Sequence, residues 1–116
     1  MIHRFGEQYH REKVGAQGGN GTTLFQDLFS PDELGGRAEM LSCITLMPGV
    51  SVGQHAHTEN GEVYYVLQGS VVVTEDGEEH RLTAGDAEFC ADGHTHGMEN
   101  RGATPAIVLA CIVPNR

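Results

Sequence analysis

Histidine and glutamate side chains with metal-binding potential lie close together near the middle of the chain. His55 and His57 are separated by one small residue, so on a β-strand both imidazoles point to the same face. After a four-residue turn, Glu62 opens another predicted strand and shares its face with Tyr64 and Val66. A carboxylate on an apolar inward face is costly unless it is paired, protonated or bound to a cation. The pattern therefore predicts a metal ion between these side chains.

His96 completes the set from a later predicted strand, where it can face inward together with Met98 and Asn100. Three imidazoles and one carboxylate form a mixed nitrogen and oxygen site for one divalent transition-metal ion per chain. Mn, Fe, Ni, Co, Cu and Zn all accept such ligands, and the sequence does not choose between them. A five- or six-coordinate ion keeps open positions at which a small substrate or dioxygen can bind.

A scaffold of short strands must hold these side chains. Sixteen glycines separate short apolar stretches rich in Val, Ile, Thr, Leu and Phe, which is typical of an all-β protein. Nine such strands without a crossover helix indicate a barrel or a sandwich, and a closed roll leaves no exposed edges. The predicted strands are Thr22 to Phe29, Ala38 to Met47, Val52 to His57, Glu62 to Gln68, Val71 to Thr74, Glu79 to Leu82, Asp86 to Cys90, His96 to Glu99 and Ala106 to Val113.

Turn signals divide the chain further. Asp76-Gly77 predicts a tight hairpin between the strands on either side. Ser30, followed by Pro31, predicts an N-cap and about one helical turn, which Gly35 ends. Residues 1–21 are expected to form an N-terminal arm, with a flexible glycine-rich lead-in at residues 14–21, and residues 22–116 a single barrel domain.

The spacing of the glycines, histidines and glutamate resembles the two sequence motifs of the cupin family. The matched positions are Gly49, His55, His57, Glu62 and Gly69 in the first motif and Gly85, Gly93, His96 and Asn100 in the second. Ala91 departs from the second motif, because the family usually has proline there. The resemblance implies a double-stranded β-helix, which is a jelly-roll-like antiparallel barrel, often dimeric. It also implies that the three motif histidines and the glutamate are the metal ligands.

Two further residues are candidates for catalysis. Tyr64 lies on the Glu62 face, where its phenol could hydrogen-bond a metal-bound ligand, although buried aromatics also simply fill volume. His94 precedes His96 by two residues and shares its face if the strand extends that far. A place in a surface loop is the alternative for His94, because it follows Gly93.

The charge balance excludes several kinds of partner. Seven basic and sixteen acidic residues give a net charge of −9, which opposes binding to nucleic acid or to an anionic membrane surface. None of the basic residues lies within either motif, which disfavours a phosphosugar substrate. Arg4 or Arg11 of the arm could still reach the site from a partner subunit.

The same sequence predicts a cytoplasmic protein. No apolar run approaches the ~20 residues that span a bilayer, and the N-terminus lacks the apolar segment of a secretory signal. Cys43, Cys90 and Cys111 lie far apart and form no CxxC pair, so we expect reduced, mostly buried thiols.

The resemblance leaves three functions open. The leading one is a metal-dependent oxidoreductase or lyase acting on a small organic substrate, as in cupin dioxygenases and oxalate-decarboxylase-like proteins. An alternative is a metal-dependent isomerase or cyclase that acts on a sugar or polyketide, in which a pocket base such as His94 or Tyr64 moves a proton. The third is a non-catalytic module that holds a metal or a metabolite.

A homodimer is expected from the apolar residues of the first predicted strand. Leu24 and Leu28 lie on one face and Phe25 and Phe29 on the other, so both faces need cover. We expect the arm of each chain to pack on the barrel of its partner, the alternative being an arm that folds back on its own barrel.

Overall fold

The protein is all-β, as predicted, and its ten strands all pair in antiparallel fashion. The computed structural model describes residues 1–115, so Arg116 of the expected barrel domain lies outside the described residues. Over that range no helix has the length and apolarity needed to cross a membrane. The strands are β1 (Tyr9–Val14), β2 (Thr22–Asp27), β3 (Met40–Leu46), β4 (Ser51–Ala56), β5 (Asn60–Gln68), β6 (Ser70–Glu75), β7 (Glu78–Thr83), β8 (Ala87–Cys90), β9 (Thr95–Glu99) and β10 (Ala106–Pro114).

Two sheets pack face to face in a jelly-roll-like arrangement. One has six strands in the order β1-β2-β3-β10-β5-β8, and the other has four in the order β4-β9-β6-β7. Apolar side chains from both sheets fill the space between them. Leu46, Val66 and Val108 come from the larger sheet and Val73 and Met98 from the smaller one, and all five are at most 2% exposed. The core is therefore apolar and continuous along most of the barrel.

The turn signals are confirmed in part. Glu75 pairs with Glu78, and the two residues between them, Asp76 and Gly77, both have positive φ (48° and 83°), as a tight hairpin turn requires. Ser30 caps a turn: its hydroxyl accepts a hydrogen bond from the Glu33 amide, and the Glu33 carboxylate accepts one from the Ser30 amide. This segment is a hydrogen-bonded turn and not a helix.

The N-terminal arm contains a strand that the sequence pattern did not predict. β1 pairs with β2 of its own chain along its whole length, from Tyr9 opposite Asp27 to Val14 opposite Thr22. Within this chain the arm therefore folds back on its own barrel, which was the alternative, and its packing on a partner's barrel stays a prediction. The strand escaped prediction because it reads Tyr-His-Arg-Glu-Lys-Val, without the alternation of apolar and polar residues that marks a half-buried strand.

Residues 15–19 are packed and do not form the flexible lead-in expected from their glycines. A short 3₁₀ turn at Ala16–Gly18 lies against β4, and Ala16 is buried. A Cβ added at Gly53 of β4 would lie 2.1 Å from the carbonyl oxygen of Gln17, and one added at Gly19 would lie 2.2 Å from the carbonyl oxygen of Ser51. Glycine thus serves here to let two backbones approach closely.

A β-bulge in β4 sets the direction of the motif histidines. Val52 pairs with Met98 and His55 with His96, so β4 carries one residue more than β9 over this stretch. Val52 and His55 are three residues apart and would lie on opposite faces of a regular strand. With the extra residue, Val52 packs in the core and the His55 imidazole also turns inward.

Candidate metal centre

Four side chains converge at one end of the space between the two sheets. The Nε2 atoms of His57 and His96 lie 3.0 and 2.9 Å from Glu62 Oε1, and the Nε2 atom of His55 lies 3.4 Å from it. The Nε2 atoms of His57 and His96 are 3.2 Å apart. Neighbouring ligands about 2.1 Å from a metal ion and at right angles are about 3.0 Å apart. The spacing of the four ligand atoms therefore matches that of a metal coordination shell.

Both sheets contribute to this cluster. His55 of β4 lies directly opposite His96 of β9 in the smaller sheet, and His57 follows immediately after β4. Glu62 comes from β5 of the larger sheet and faces them across the barrel. The structure thus brings together all four residues that the spacing selected.

Hydrogen bonds from Nδ1 fix two of the imidazoles. His55 donates from Nδ1 to the carbonyl oxygen of Gly53 at 2.8 Å, and His96 donates from Nδ1 to the carboxylate of Glu88 at 2.9 Å. Because a carbonyl and a carboxylate can only accept, Nδ1 carries the proton in both rings. When such a ring is neutral, its unprotonated Nε2 faces the centre, which is the tautomer that a metal ligand needs.

Asn60 and Glu39 fix the third imidazole. The Asn60 side-chain nitrogen donates to Glu39 at 2.9 Å, which leaves the Asn60 oxygen to accept from His57 Nδ1 at 2.8 Å. Because the Asn60 nitrogen faces Glu39, the Asn60 oxygen faces His57, and the proton of that hydrogen bond must be on His57 Nδ1. His57 is thereby held in the same tautomer as the other two rings.

The buried Glu62 carboxylate at the centre needs a positively charged partner. Glu62 is 3% exposed, and although burial opposes its ionisation, hydrogen bonds from His55 and His96 lower its pKa to about 2. His96 is fully buried, and although burial opposes its protonation, hydrogen bonds to Glu62 and Glu88 raise its pKa to about 9. In the metal-free protein a proton on His96 thus balances Glu62, and a divalent ion fits the same place.

A small cavity connects the cluster to the protein surface. It has a volume of about 140 Å³ and is lined by the cluster residues His55, His57 and Glu62 and by Arg11 and Lys13 of β1. A larger groove of about 440 Å³ adjoins it, since Arg11 and Met40 line both, but this groove contains none of the cluster residues. The missed strand β1 therefore brings two cationic side chains to the mouth of the candidate metal centre, from the same chain and not from a partner.

Asp27 and Phe25 hold Arg11 in position. The guanidinium donates to Asp27 from Nε at 2.8 Å and from Nη2 at 3.2 Å, and its central carbon lies 4.1 Å from the centroid of the Phe25 ring. Burial opposes ionisation of Asp27, but its hydrogen bonds with Arg11 and Ser42 lower its pKa. The Nη1 edge of the guanidinium makes no hydrogen bond within the described residues.

Tyr64 packs directly on the cluster. Its ring stacks on the His96 imidazole with centroids 4.4 Å apart and an angle of 11° between the planes, and the residue is 1% exposed. Burial, together with the negative charges of Glu62 and Glu88, raises the pKa of the phenol. Tyr64 lines the cavity and carries its proton at neutral pH.

His94 does not join the cluster, which corrects the expectation that it faces the pocket. Its imidazole is half exposed and contacts the carboxylate of Asp76 at 2.5 Å. The reason is that β9 begins only at Thr95, so the alternation that turns His96 inward does not extend to the preceding loop. His94 therefore takes the surface-loop alternative.

Glu88, Asn60 and Glu39 were not selected by the sequence reasoning. Glu88 carried a usable signal, because it alternates with the buried Cys90 in a short strand and so points inward. Cys90 lies close to Glu88 and His96, but burial and the Glu88 charge raise the pKa of its thiol to about 12. This thiol therefore stays protonated and is a poor metal ligand. The cluster of Glu62 and three imidazoles is a better metal site than the group of Glu88, Cys90 and His96.

Comparison with known proteins defines the class. Residues 42–112 match the family model described as a cupin domain. The chain belongs to the cupin family, as the two motifs suggested.

The chain is also similar to individual proteins of known name or structure. An oxalate-binding protein from Thermotoga maritima is 35% identical over 97 residues, which cover 84% of this chain and 80% of that protein. A crystal structure from Thermotoga maritima, of a protein described as a predicted oxalate decarboxylase, superposes with a TM-score of 0.94 at 32% identity, covering 98% of this chain and 99% of that one. The tetracenomycin polyketide synthase protein TcmJ from Streptomyces glaucescens is 39% identical over 87 residues, covering 75% of this chain but only 58% of TcmJ.

Proposed function

We propose that this cupin binds one divalent transition-metal ion and uses it to bind and convert a small carboxylate such as oxalate. The observation that carries the proposal is the cavity of about 140 Å³ that joins the metal-ligand cluster to Arg11 and Lys13. The similarity to an oxalate-binding protein and to a predicted oxalate decarboxylase agrees with it. The site residues proposed are His55, His57, Glu62 and His96 for the metal and Tyr64 for contact with the substrate.

The cavity favours a ligand of very few atoms. An apolar protein cavity of about 150 Å³ accommodates benzene, which has six heavy atoms, and oxalate has the same number. A polyketide of several fused rings does not fit a space of about 140 Å³. The isomerase or cyclase alternative therefore receives less support than a small-acid function.

Charge favours an anionic ligand. Arg11 has a free guanidinium edge, and Lys13 lies two residues further along the same face of β1. Charge-assisted hydrogen bonds to a carboxylate contribute more than neutral ones. These two side chains would hold the outer end of a dicarboxylate whose other end reaches the cluster.

The chain's own residues prepare this site for chemistry. When bound, the ion would supply a Lewis-acidic centre with open positions for the oxygens of a small acid. Nδ1 hydrogen bonds hold the histidine rings rigidly toward the centre. Tyr64 would donate its phenolic hydrogen bond to the bound carboxylate.

Calorimetric titration of the metal-loaded protein tests ligand binding. Oxalate should bind, and oxamide, a neutral molecule of the same shape, should bind far more weakly. Arg11→Met should weaken oxalate binding about 10- to 100-fold, the range expected for one hydrogen bond to a charged group. Arg81→Met is the matched control, because Arg81 is exposed on β7. Equal affinity for oxalate in wild type, Arg11→Met and Lys13→Met would contradict the proposed site.

Product analysis distinguishes an enzyme from a binding module. Decarboxylation of hydrogen oxalate yields one carbon dioxide and one formate, so both should accumulate in equal amounts with the metal-loaded protein. Tyr64→Phe should slow their release while leaving metal content unchanged. Tight oxalate binding with neither product would instead establish the non-catalytic alternative.

A further inference from the structure

The metal cavity and the larger groove beside it follow one another along the inner face of β1, β2 and β3. On β1, Lys13 lines only the cavity, Arg11 lines both spaces and Tyr9 lines only the groove. Because these residues alternate along one strand, their side chains lie on the same face, with successive Cα atoms about 7 Å apart. The groove therefore begins directly beyond Arg11 as seen from the metal-ligand cluster.

The two neighbouring strands repeat this order. On β2, Phe25 lines the cavity, and Asp27, two residues further on, lines the groove. On β3, Ile44 lines the cavity and Met40 lines both spaces. The three strands are paired side by side, so the cavity and the groove form one trough with Arg11 and Met40 between its two parts.

Two long side chains form the wall between these parts. Arg11 Nη2 lies 3.7 Å from the Met40 sulfur, and the guanidinium is held by Asp27 and by the Phe25 ring. The Met40 side chain is unbranched and has three rotatable bonds, so it can turn aside while the backbone of β3 stays in place. A ligand bound at the cluster can therefore extend past this wall.

We propose that the groove is a second subsite of the metal centre and takes the apolar tail of a carboxylate whose head is bound at the cluster, a role that rests on the function proposed above. Tyr9, Phe29, Pro31 and Met40 line the groove, and Tyr9 is 67% exposed, so a tail has apolar surface to cover. The volume of about 440 Å³ exceeds the ~150 Å³ that accommodates one benzene ring. The ligand class is thus a small acid head joined to a tail of one aromatic ring or more.

The carboxylates that line the groove disfavour an anionic tail. Asp27 is hydrogen-bonded to Arg11, and Glu33 lies 3.0 Å from a ring nitrogen of His3. Glu7 also lines the groove. These negative charges would repel a second carboxylate, because like charges at close range oppose binding. The acidic head therefore belongs at the cluster and Arg11, and the tail is uncharged.

A pair of oxamates tests the subsite, because the head stays constant while the tail changes. Oxamate keeps one carboxylate and the adjacent carbonyl of oxalate, and N-(2-phenylethyl)oxamate adds a ring on a link that spans the ~7 Å between Arg11 and Tyr9. In calorimetric titrations of the metal-loaded protein, the phenylethyl compound should bind about 10- to 100-fold more tightly, as expected for burial of one aromatic ring. A carboxylate added to the ring should cancel most of this gain.

Variants of Tyr9 locate the tail. Tyr9→Ala should lower the ratio of the two affinities about 2- to 10-fold, the range of a contact between two aromatic rings, and Tyr9→Phe should preserve the ratio because it keeps the ring. Tyr65→Ala is the matched control, because Tyr65 is an exposed tyrosine on β5, away from the groove, and its loss should change neither affinity.

Photolabelling gives an independent readout. An oxamate with a phenyl diazirine on its tail should label peptides that contain Tyr9 or residues 29–31, and excess oxalate should prevent labelling because both heads compete for the cluster. Equal affinities of oxamate and the phenylethyl compound, an unchanged ratio in Tyr9→Ala, or labelling confined to other peptides would overturn the subsite and leave the head site standing. Failure of both compounds to bind would overturn the subsite together with the proposed function.

Discussion

Glu62 is the centre of the site at the scale of single residues, because all three imidazoles approach the same carboxylate oxygen. The inward face of Glu62 and the alternation of His55 and His57 can be read from the sequence, so the candidate ligand set could be predicted by position. The hydrogen-bond acceptors of the histidine Nδ1 atoms could not be predicted. Glu88 reaches His96 only through strand pairing, and the Gly53 carbonyl reaches His55 only because of the bulge. Local periodicity reports which way a side chain points and not what it meets there.

Glu88 should act on the metal through His96. Removing its carboxylate in Glu88→Ala leaves Nδ1 of a buried imidazole without its acceptor, so ring orientation and tautomer are no longer fixed. We expect metal affinity to fall about 10- to 100-fold, measured by competition with a chelator of known affinity. Glu12→Ala, which removes an exposed carboxylate from β1, is the control and should bind metal as wild type does. Unchanged affinity in Glu88→Ala would show that this hydrogen bond does not support the site.

His94 and Asp76 should titrate as a surface pair. The hydrogen bond to Asp76 raises the pKa of His94 above its ordinary 6.5, and hydrogen bonds from the Thr95 amide and from His94 lower that of Asp76 below 3.8. The histidine's contribution to stability is present below pH 6.5 and is lost as pH rises through the raised pKa. The aspartate's contribution is present above pH 3.8 and is lost as pH falls through the lowered pKa.

Proton NMR of the His94 ring checks this pair. The titration midpoint should lie above 6.5 in wild type and move down in Asp76→Asn, which removes the negative charge. A wild-type midpoint at or below 6.5 would show that the contact is not formed in solution.

At the scale of elements, the bulge in β4 and the loop at residues 15–19 decide how the site is built. Nine of the ten strands were predictable because apolar alternation and turn glycines mark their positions. β1 was not, since an edge strand with charged residues along its length has no such pattern. The bulge in β4 could not be predicted either, because a residue counts as inserted only when the strand is compared with the strand that pairs with it.

Gly53→Ala should destabilise the protein by disturbing that loop. A Cβ at this position would lie 2.1 Å from the Gln17 carbonyl oxygen, so β4 and the loop must separate. We expect a loss of about 1 to 3 kcal/mol in the free energy of unfolding, measured by urea denaturation. Gly6→Ala is the control, since a Cβ there meets no atom within 4 Å. Equal stability of the two variants would contradict the close packing of residues 15–19.

At the scale of the whole molecule, the charged residues are unevenly distributed. The chain is strongly acidic, yet two basic side chains, Arg11 and Lys13, line the cavity at the candidate metal centre. The apolar core between the sheets extends well beyond the metal-ligand cluster. The barrel should therefore remain folded when the site is emptied, in contrast to small domains that depend on a metal to fold.

Elemental analysis of protein purified without added metal is the most direct test of the central claim that the four residues hold a metal ion. Wild type and His80→Ala, in which an exposed histidine is removed, should contain close to one transition-metal ion per chain. His57→Ala and His96→Ala should each lose most of the metal while circular dichroism and cooperative unfolding show an intact barrel. Unchanged metal content in both of these variants would contradict the account.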